Sequence, residues 1–472
     1  MPTYQLDLVG ATTINLAGSP QRLIEYQPRS ASLTDSMRAR LFTGSRDLYD
    51  EPTVIESARV ILTGTQAVIQ ATFQSIQHML RVVAPRRYQT RSGQRVFLVW
   101  LADGLTGANR GEILYGSVEY ASKQSMQFGW AKWGQVEVII VWKRRLFEKN
   151  SETAIPLTNG NGTDTTAGLN VYSCNDGTGV SPNKLNNYVE IKAADVIGVL
   201  PAPVRLELSN TYGTALRRIY VAHKAQGTAT SFAHVLECEA ATLNATYCVD
   251  TLTASTSGGH TVVTTNVPAA ATTLMTWTIT ATQAGYALSQ WIRTLIRFST
   301  LPSNSTIYVR LILQDSGSTA ILAQTDWQLL NNTDYLQPLP TLELSPNLQG
   351  QTTPGAMKLV LQAKDAAAVG DFSADFIQLS PVEMATGFRW LKPIDETLVT
   401  VAATTGVLTD NMIDGGLYTE SVQGVYRSYG GPIMLLPGVL QRIYLLMDGA
   451  SDAAIARLLS VKAYYRPRVE TV

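Results

Sequence analysis

Any chemistry in this chain would have to come from few residues. Its four histidines are His78, His223, His234 and His260, and none stands at a spacing that places two imidazoles on one metal or one imidazole beside a nucleophile. Cys174, Cys238 and Cys248 are too few and too irregular for a disulfide framework or a four-ligand zinc site. Cys238 and Cys248 can face each other across a hairpin, and buried free thiols are the expected state. The sequence has no Gly-x-Ser-x-Gly elbow, no Gly-Lys-Ser/Thr phosphate loop and no Cys-x-x-Cys pair. Acid pairs such as Asp371 and Asp375 are of the type that a glycosidase holds about 5 to 9.5 Å apart, but their default role is to solvate a surface. Residues 159–164 and 175–179 are rich in Asn, Asp and Gly, and hard cations take such oxygen clusters. Neither run fits the spacing of an EF-hand, so ordinary Asn-Gly turns are expected. The reading is therefore of a protein that is not an enzyme, with no catalytic residue, no cofactor and no metal.

Binding is better supplied than catalysis. Trp277, Tyr286, Trp291 and Trp327 would form a sugar-stacking platform if exposed, whereas aromatics in a β-sandwich generally fill its core. Basic residues gather in Arg81, Arg86, Arg87, Arg91 and Arg95 and in the run Lys143-Arg144-Arg145. Formal net charge is zero, yet residues 1–149 hold 18 Lys/Arg against 12 Asp/Glu, and the remainder holds 19 against 25. No nucleic-acid module or aromatic stacking platform accompanies the basic clusters, so they read as a solvated face or a subunit contact. Arg86, Arg87, Lys143, Arg144 and Arg145 are the candidate assembly contacts.

These residues need elements to position them, and composition narrows the elements. A chain of 472 residues exceeds one ordinary core. Charged residues are 16%, below the about 25% usual in soluble proteins, and the abundance of Thr, Ser, Asn and Gly favours a mainly β protein with a polar, uncharged surface. That surface suits burial in an assembly. No run reaches the ~18 to 20 apolar residues of a membrane helix, and the first residues lack the basic start and apolar stretch of a signal peptide, so neither membrane insertion nor export is expected.

Strand signals begin with residues 54–62. After the Thr63-Gly64-Thr65 break, Ile69, Phe73, Ile76, Leu80 and Val83 repeat at intervals of four and three, which marks one apolar face of a helix stopped at Pro85. His78 falls at the edge of that face. Residues 95–101, 112–120 and 135–147, rich in β-branched and aromatic side chains, follow as strands on which the helix lies.

This order of elements resembles the tube-forming domain shared by tail-tube and distal-tail proteins of long-tailed (siphovirus-like) phages. The strand 54–62, the helix and the strand around Val136-Glu137-Val138-Ile139-Ile140-Val141-Trp142 carry the resemblance, over roughly the first 150 residues. It implies a tail-tube-like sandwich or split barrel with one packed helix. It also implies rings of identical subunits that stack into a non-contractile tube and pass DNA without reading its sequence. The partners would be the chain itself and other tail proteins, and the location the virion tail, after synthesis in the host cytoplasm. A distal-tail subunit at the baseplate hub is the alternative role, and a carbohydrate-binding or carbohydrate-degrading β-sandwich the alternative class.

The expected domains are 1–148, tail-tube-like; 149–187, a linker or inter-subunit arm; 188–384, a jelly-roll-like sandwich of short alternating strands; and 385–472, a C-terminal β region that forms a third unit or returns to another. Within the sandwich, residues 372–381 are similar to the last strand of carbohydrate-binding jelly rolls. The proline-glycine turn of residues 430–438 and the basic, aromatic residues 460–468 are similar to C-terminal regions of phage tail proteins.

Overall fold

The structure, a computed structural model, describes residues 3–8, 13–18, 21–26, 53–85, 95–101, 107–121, 134–149, 151–159, 162–163, 168–172, 187–210, 216–225, 235–253, 256–280, 291–317, 319–343, 356–381, 385–394, 398–402, 407–410, 426–429, 433–449 and 458–469. The described residues are mainly β, with one long helical segment over residues 66–83, short 3-10 turns at Ala193–Asp195 and Ser257–Gly259, and antiparallel sheets. Among the described residues no helix is long and apolar enough to cross a membrane.

Two compact units divide the chain. Unit 1 comprises Met1–Thr153, Ile197–Ala202 and Tyr465–Val472; unit 2 comprises Ala154–Val196 and Pro203–Tyr464.

Unit 1 is built on β1 (Thr3–Leu8), β2 (Thr13–Asn15), β3 (Gln21–Glu25), β4 (Thr53–Thr63), β5 (Val96–Leu101), β6 (Asn109–Tyr120), β7 (Gln135–Arg145) and β8 (Phe147–Lys149). Their order in the sheet is β2-β1-β5-β6-β7-β4-β3, with β8 joined to β6 and to the late strand Arg468–Val469. Strict alternation drives the long pair: β4 turns Val54, Glu56, Ala58, Val60 and Leu62 inward, and β7 turns Val136, Val138, Ile140, Trp142 and Arg144 inward. A slip of one residue would exchange this whole set for Ile55, Arg59 and Lys143, so burial fixes the register. The sheet curls into a near-barrel. Tyr4 on β1 and Tyr26 just after β3 lie near opposite ends of the strand order, yet their rings meet edge to face at 5.5 Å.

The helix Gln66–His78 begins where Gly64 takes φ +134° and the Thr65 hydroxyl accepts from the Val68 N–H at 3.4 Å. Ile69 and Ile76 are fully buried against the sheet. Phe73 is half-buried and stacks on Tyr120 of β6 with centroids 4.5 Å apart and planes 4° apart. The helix then widens into a π turn, Met79–Val83. That extra residue per turn brings Met79 into the core beside Leu80, while Val83 stays only partly buried. His78, expected at the edge of the buried face, is exposed.

Among the described residues unit 2 holds four sheets. Two face each other as a sandwich made from strands between Val235–Glu237 and Gly370–Pro381, in the orders Cys248–Leu252, His260–Val267, Gly370–Pro381, Trp291–Thr300, Leu336–Glu343 and Thr242–Leu243, Thr272–Ile279, Met357–Asp365, Ile307–Asp315, Ile321–Gln324. Leu311, Leu313, Leu359, Leu361, Phe298, Phe372 and their neighbours close the core between them. The strands Tyr188–Ile191, Ala202–Asn210 and Leu216–Ala225, expected within the sandwich, pair instead with Gln441–Gly449, Ala385–Ile394 and Leu398–Ala402. The C-terminal region thus returns to earlier strands. Residues 149–187, expected as a linker or arm, contribute Thr158–Asn159, Gly162–Thr163 and Leu169–Tyr172 to sheets of their own chain. Their apolar residues Ile155, Leu157, Leu169 and Val171 are buried, which accounts for the ordering.

Candidate functional site

Three groups of side chains stand out, and the first is the basic run of β7. Alternation splits it. Arg144 points into the near-barrel, 1% exposed, and pairs with Glu56, its Nε donating to Oε2 at 2.8 Å. The same carboxylate accepts from Tyr26 Oη at 3.0 Å and Trp142 Nε1 at 3.2 Å, and the guanidinium lies 3.6 Å from the Phe147 ring centroid. Gly111 makes room for it, since a Cβ there would sit 2.8 Å from Arg144 Cδ. Enclosed in this way, Arg144 offers no surface to a neighbouring subunit, which corrects its assignment as an assembly contact. Arg145 is turned the other way and pairs with Glu112 at 3.5 Å. Lys143 reaches over the Tyr115 ring at 5.8 Å. Arg86 and Arg87 lie outside the described residues.

A buried acidic group inside the sandwich is the second. Asp375, expected at the surface, is fully buried; it pairs with Arg297 and accepts the Ser257 N–H at 2.9 Å. Asp371 is exposed, as its default role requires. Glu237 accepts from the Ser257 hydroxyl at 2.8 Å with one carboxylate oxygen, and its other oxygen, like one of Glu239, is buried without a hydrogen-bond partner. Burial, reinforced by Asp375 and Glu239, holds Glu237 well above the usual carboxylate range; burial pushes Glu239 up to about 7. Among the described residues no group of His, Cys, Asp and Glu has the arrangement of a metal site. Residue by residue, this cluster reads in the sequence as solvated charge. Its signal was present: Leu295-Ile296-Arg297-Phe298 and Ala374-Asp375-Phe376 each set one charge inside an apolar run, as happens when a strand is buried on both faces and its charges pair across the sheet. Cys238 and Cys248 are both buried free thiols.

The aromatic residues form the third group. Trp277 is 2% exposed in the sandwich core and donates Nε1–H to the Glu237 carbonyl at 2.8 Å, so it cannot stack on a sugar. Trp291 begins a strand, but its side chain lies outside the described residues, as does Tyr286. Trp327 is partly exposed on the outward face of the sandwich, between the cations of Arg310 and Lys364. Of the oxygen-rich loops, Asn159 is committed to structure, its amide donating to the Asn170 and Tyr188 carbonyls at 3.0 Å each; residues 175–179 lie outside the described residues.

No protein-family model matches this chain, and no curated protein matches it. Among solved structures it is similar to a chain of the phage P2 baseplate in its activated conformation with Ca, at 9% identity over 76% of this chain and 98% of that one, with a TM-score of 0.23. It is also similar to an arabinose-bound α-L-arabinofuranosidase, at 15% identity over 48% and 32%, TM-score 0.19, and to a chain of infectious bursal disease virus Gt strain, at 10% over 67% and 81%, TM-score 0.18. TM-scores this low carry no argument about function.

Proposed function

We propose that this chain is a structural subunit of a long-tailed phage tail, placed at the distal, baseplate end, and that it has no catalytic role. The observation that supports the reading is the build of unit 1, in which one amphipathic helix lies on a curled antiparallel sheet in the order that the resemblance implies. Among the described residues the short outer strands β2 and β3 each pair on one side only, and identical subunits can join at such edges, which ring closure would remove. The partners in this reading are further copies of the chain and other tail proteins, with DNA passing through the ring unread.

A distal ring is preferred to a repeating tube because unit 1 carries the larger unit 2 as an insertion. A tube must fit that insertion at every level, whereas a terminal ring carries it once per subunit. Electron microscopy and mass photometry of the purified chain test this. Closed rings that do not elongate are the expected result. A strict monomer at tens of micromolar would remove the tail reading, and long tubes would move the subunit from the distal end into the tube.

A further inference from the structure

The outward face of one sandwich sheet carries a patch unlike its surroundings. Register sets Tyr308 opposite Lys364, Arg310 opposite Gln362 and Gln314 opposite Lys358, with Thr273 opposite Gln362 on the other side. These positions alternate with the inward residues Val309, Leu311, Leu313, Leu359, Leu361 and Ala363 of the core. Trp327, between the strands Ile321–Gln324 and Gln328–Leu329, reaches over this face. Its ring centroid lies 4.6 Å from the Arg310 guanidinium and 4.5 Å from the Lys364 ammonium, which is also 5.7 Å from the Tyr308 ring. Arg310 Nε donates to Gln362 Oε1 at 2.9 Å, and Gln362 Nε2 donates to Thr273 Oγ1 at 3.2 Å.

Two points of charge make the patch informative. Neither Arg310 nor Lys364 has a carboxylate within ion-pair distance among the described residues. The chain beyond residue 149 carries more acidic than basic residues, so two adjacent rungs that hold Arg310 and Lys364 and no acid are not drawn from the background. Held over aromatic rings and an amide, the two cations are oriented before any ligand arrives, which lowers the ordering cost of binding. Guanidinium and ammonium groups match carboxylate or phosphate oxygens. Partly exposed aromatic faces beside amides and hydroxyls match the C–H faces and hydroxyls of a sugar or polyol.

We propose that this face binds an anionic glycan, a polymer of sugars or polyols bearing carboxylate or phosphodiester groups. Arg310 and Lys364, held in place by the Trp327 ring they both face, take the anionic groups, and Tyr308 lies against the apolar faces of the repeating units. The site is complete within one chain and does not depend on ring assembly.

Titration calorimetry of the full chain tests this with four polymers: polygalacturonate, poly(glycerol phosphate), neutral dextran and linear polyphosphate. One or both anionic glycans should bind, dextran should not, and which glycan binds assigns carboxylate or phosphodiester as the recognised group. Affinity should fall as salt is raised from about 50 to about 200 mM. R310Q/K364Q should weaken binding about tenfold or more at an unchanged melting temperature, and Y308A, at a position 37% exposed and therefore tolerant of truncation, should weaken it as well. Failure of both anionic glycans to bind overturns the proposal. So does equal binding of dextran, parental affinity in R310Q/K364Q, or binding of polyphosphate as tight as that of either glycan and indifferent to Y308A.

Discussion

Burial holds the Glu237 carboxyl well above the usual carboxylate range and pushes Glu239 up to about 7, because one oxygen of each is enclosed in the folded sandwich without a donor. Glu239 holds its proton more tightly folded, at about 7, than its ordinary value of 4.5 allows unfolded. The stability it lends is therefore full below about 4.5 and is lost as pH rises through about 7. E239Q, which fixes the neutral form, should leave stability in thermal melts unchanged at pH 4 and raise it at pH 8, by about 1 kcal/mol once screening of this half-buried group is allowed for. A variant melting in parallel with the parent across that range would show that the carboxyl is ionised throughout. His223 has the opposite sign. It is fully buried, with Nε2 2.8 Å from Gln441 Oε1, and because that oxygen must accept, Nε2 carries a proton. Burial lowers its pKa from 6.5 to about 4, so its contribution is present above 6.5 and is lost as pH falls through about 4. Proton NMR should find its imidazole titrating near 4; a midpoint near 6.5 would place the ring in water.

At the scale of the element, the helix separates what its sequence specifies from what only the sheet can decide. Ile76 is fully buried, so Ile76→Ala should cost about 2 to 5 kcal/mol in denaturant melts. Phe73 keeps one side toward solvent and gains chiefly from its stack on Tyr120, and Phe73→Ala should cost clearly less, about 1 to 2 kcal/mol. Equal costs would mean that the two positions share one environment. The spacing of Ile69, Phe73, Ile76 and Leu80 revealed the helix and its face because a period of 3.6 is local information. It did not reveal the π turn or the shallow placement of Phe73, since both depend on where β6 sets Tyr120. The strands of unit 1 were legible for the same local reason. The inward turn of Arg144 is legible in principle, because β7 alternates strictly from Val136 onward, although a run of three basic residues reads on its own as one surface. Asp375 and Arg297 were missed because a paired charge in a strand buried on both faces looks, residue by residue, like a solvated one.

Across the whole molecule, unit 1 is completed by segments far apart in sequence. Tyr465 is 1% exposed, accepts the Ile197 N–H at 2.8 Å and anchors the segment Ile197–Ala202, while Arg468–Val469 pairs with β8 and Arg468 donates to the Pro201 carbonyl at 3.0 Å. Tyr465→Phe leaves the Ile197 N–H without its acceptor and should cost about 1 to 3 kcal/mol, read by denaturant melts that follow tryptophan fluorescence. No loss at all would show that water replaces the hydroxyl. Such long-range closure was beyond reading in the sequence: strands reveal their own period but not their partners, which is why the expected boundaries at 148, 187 and 384 differ from the division observed.

The order of synthesis gives this closure a clock. A ribosome that has made Thr153 must add all of unit 2 before Tyr465 and Arg468 exist, which at about 5 to 20 residues per second takes roughly 15 to 60 s. During that interval β8 waits without the strand that later pairs with it, and the sandwich between residues 235 and 381 has time to fold around its own core. A nascent chain therefore holds an unfinished unit 1, and neighbouring polysomes cannot supply one another with completed subunits before release.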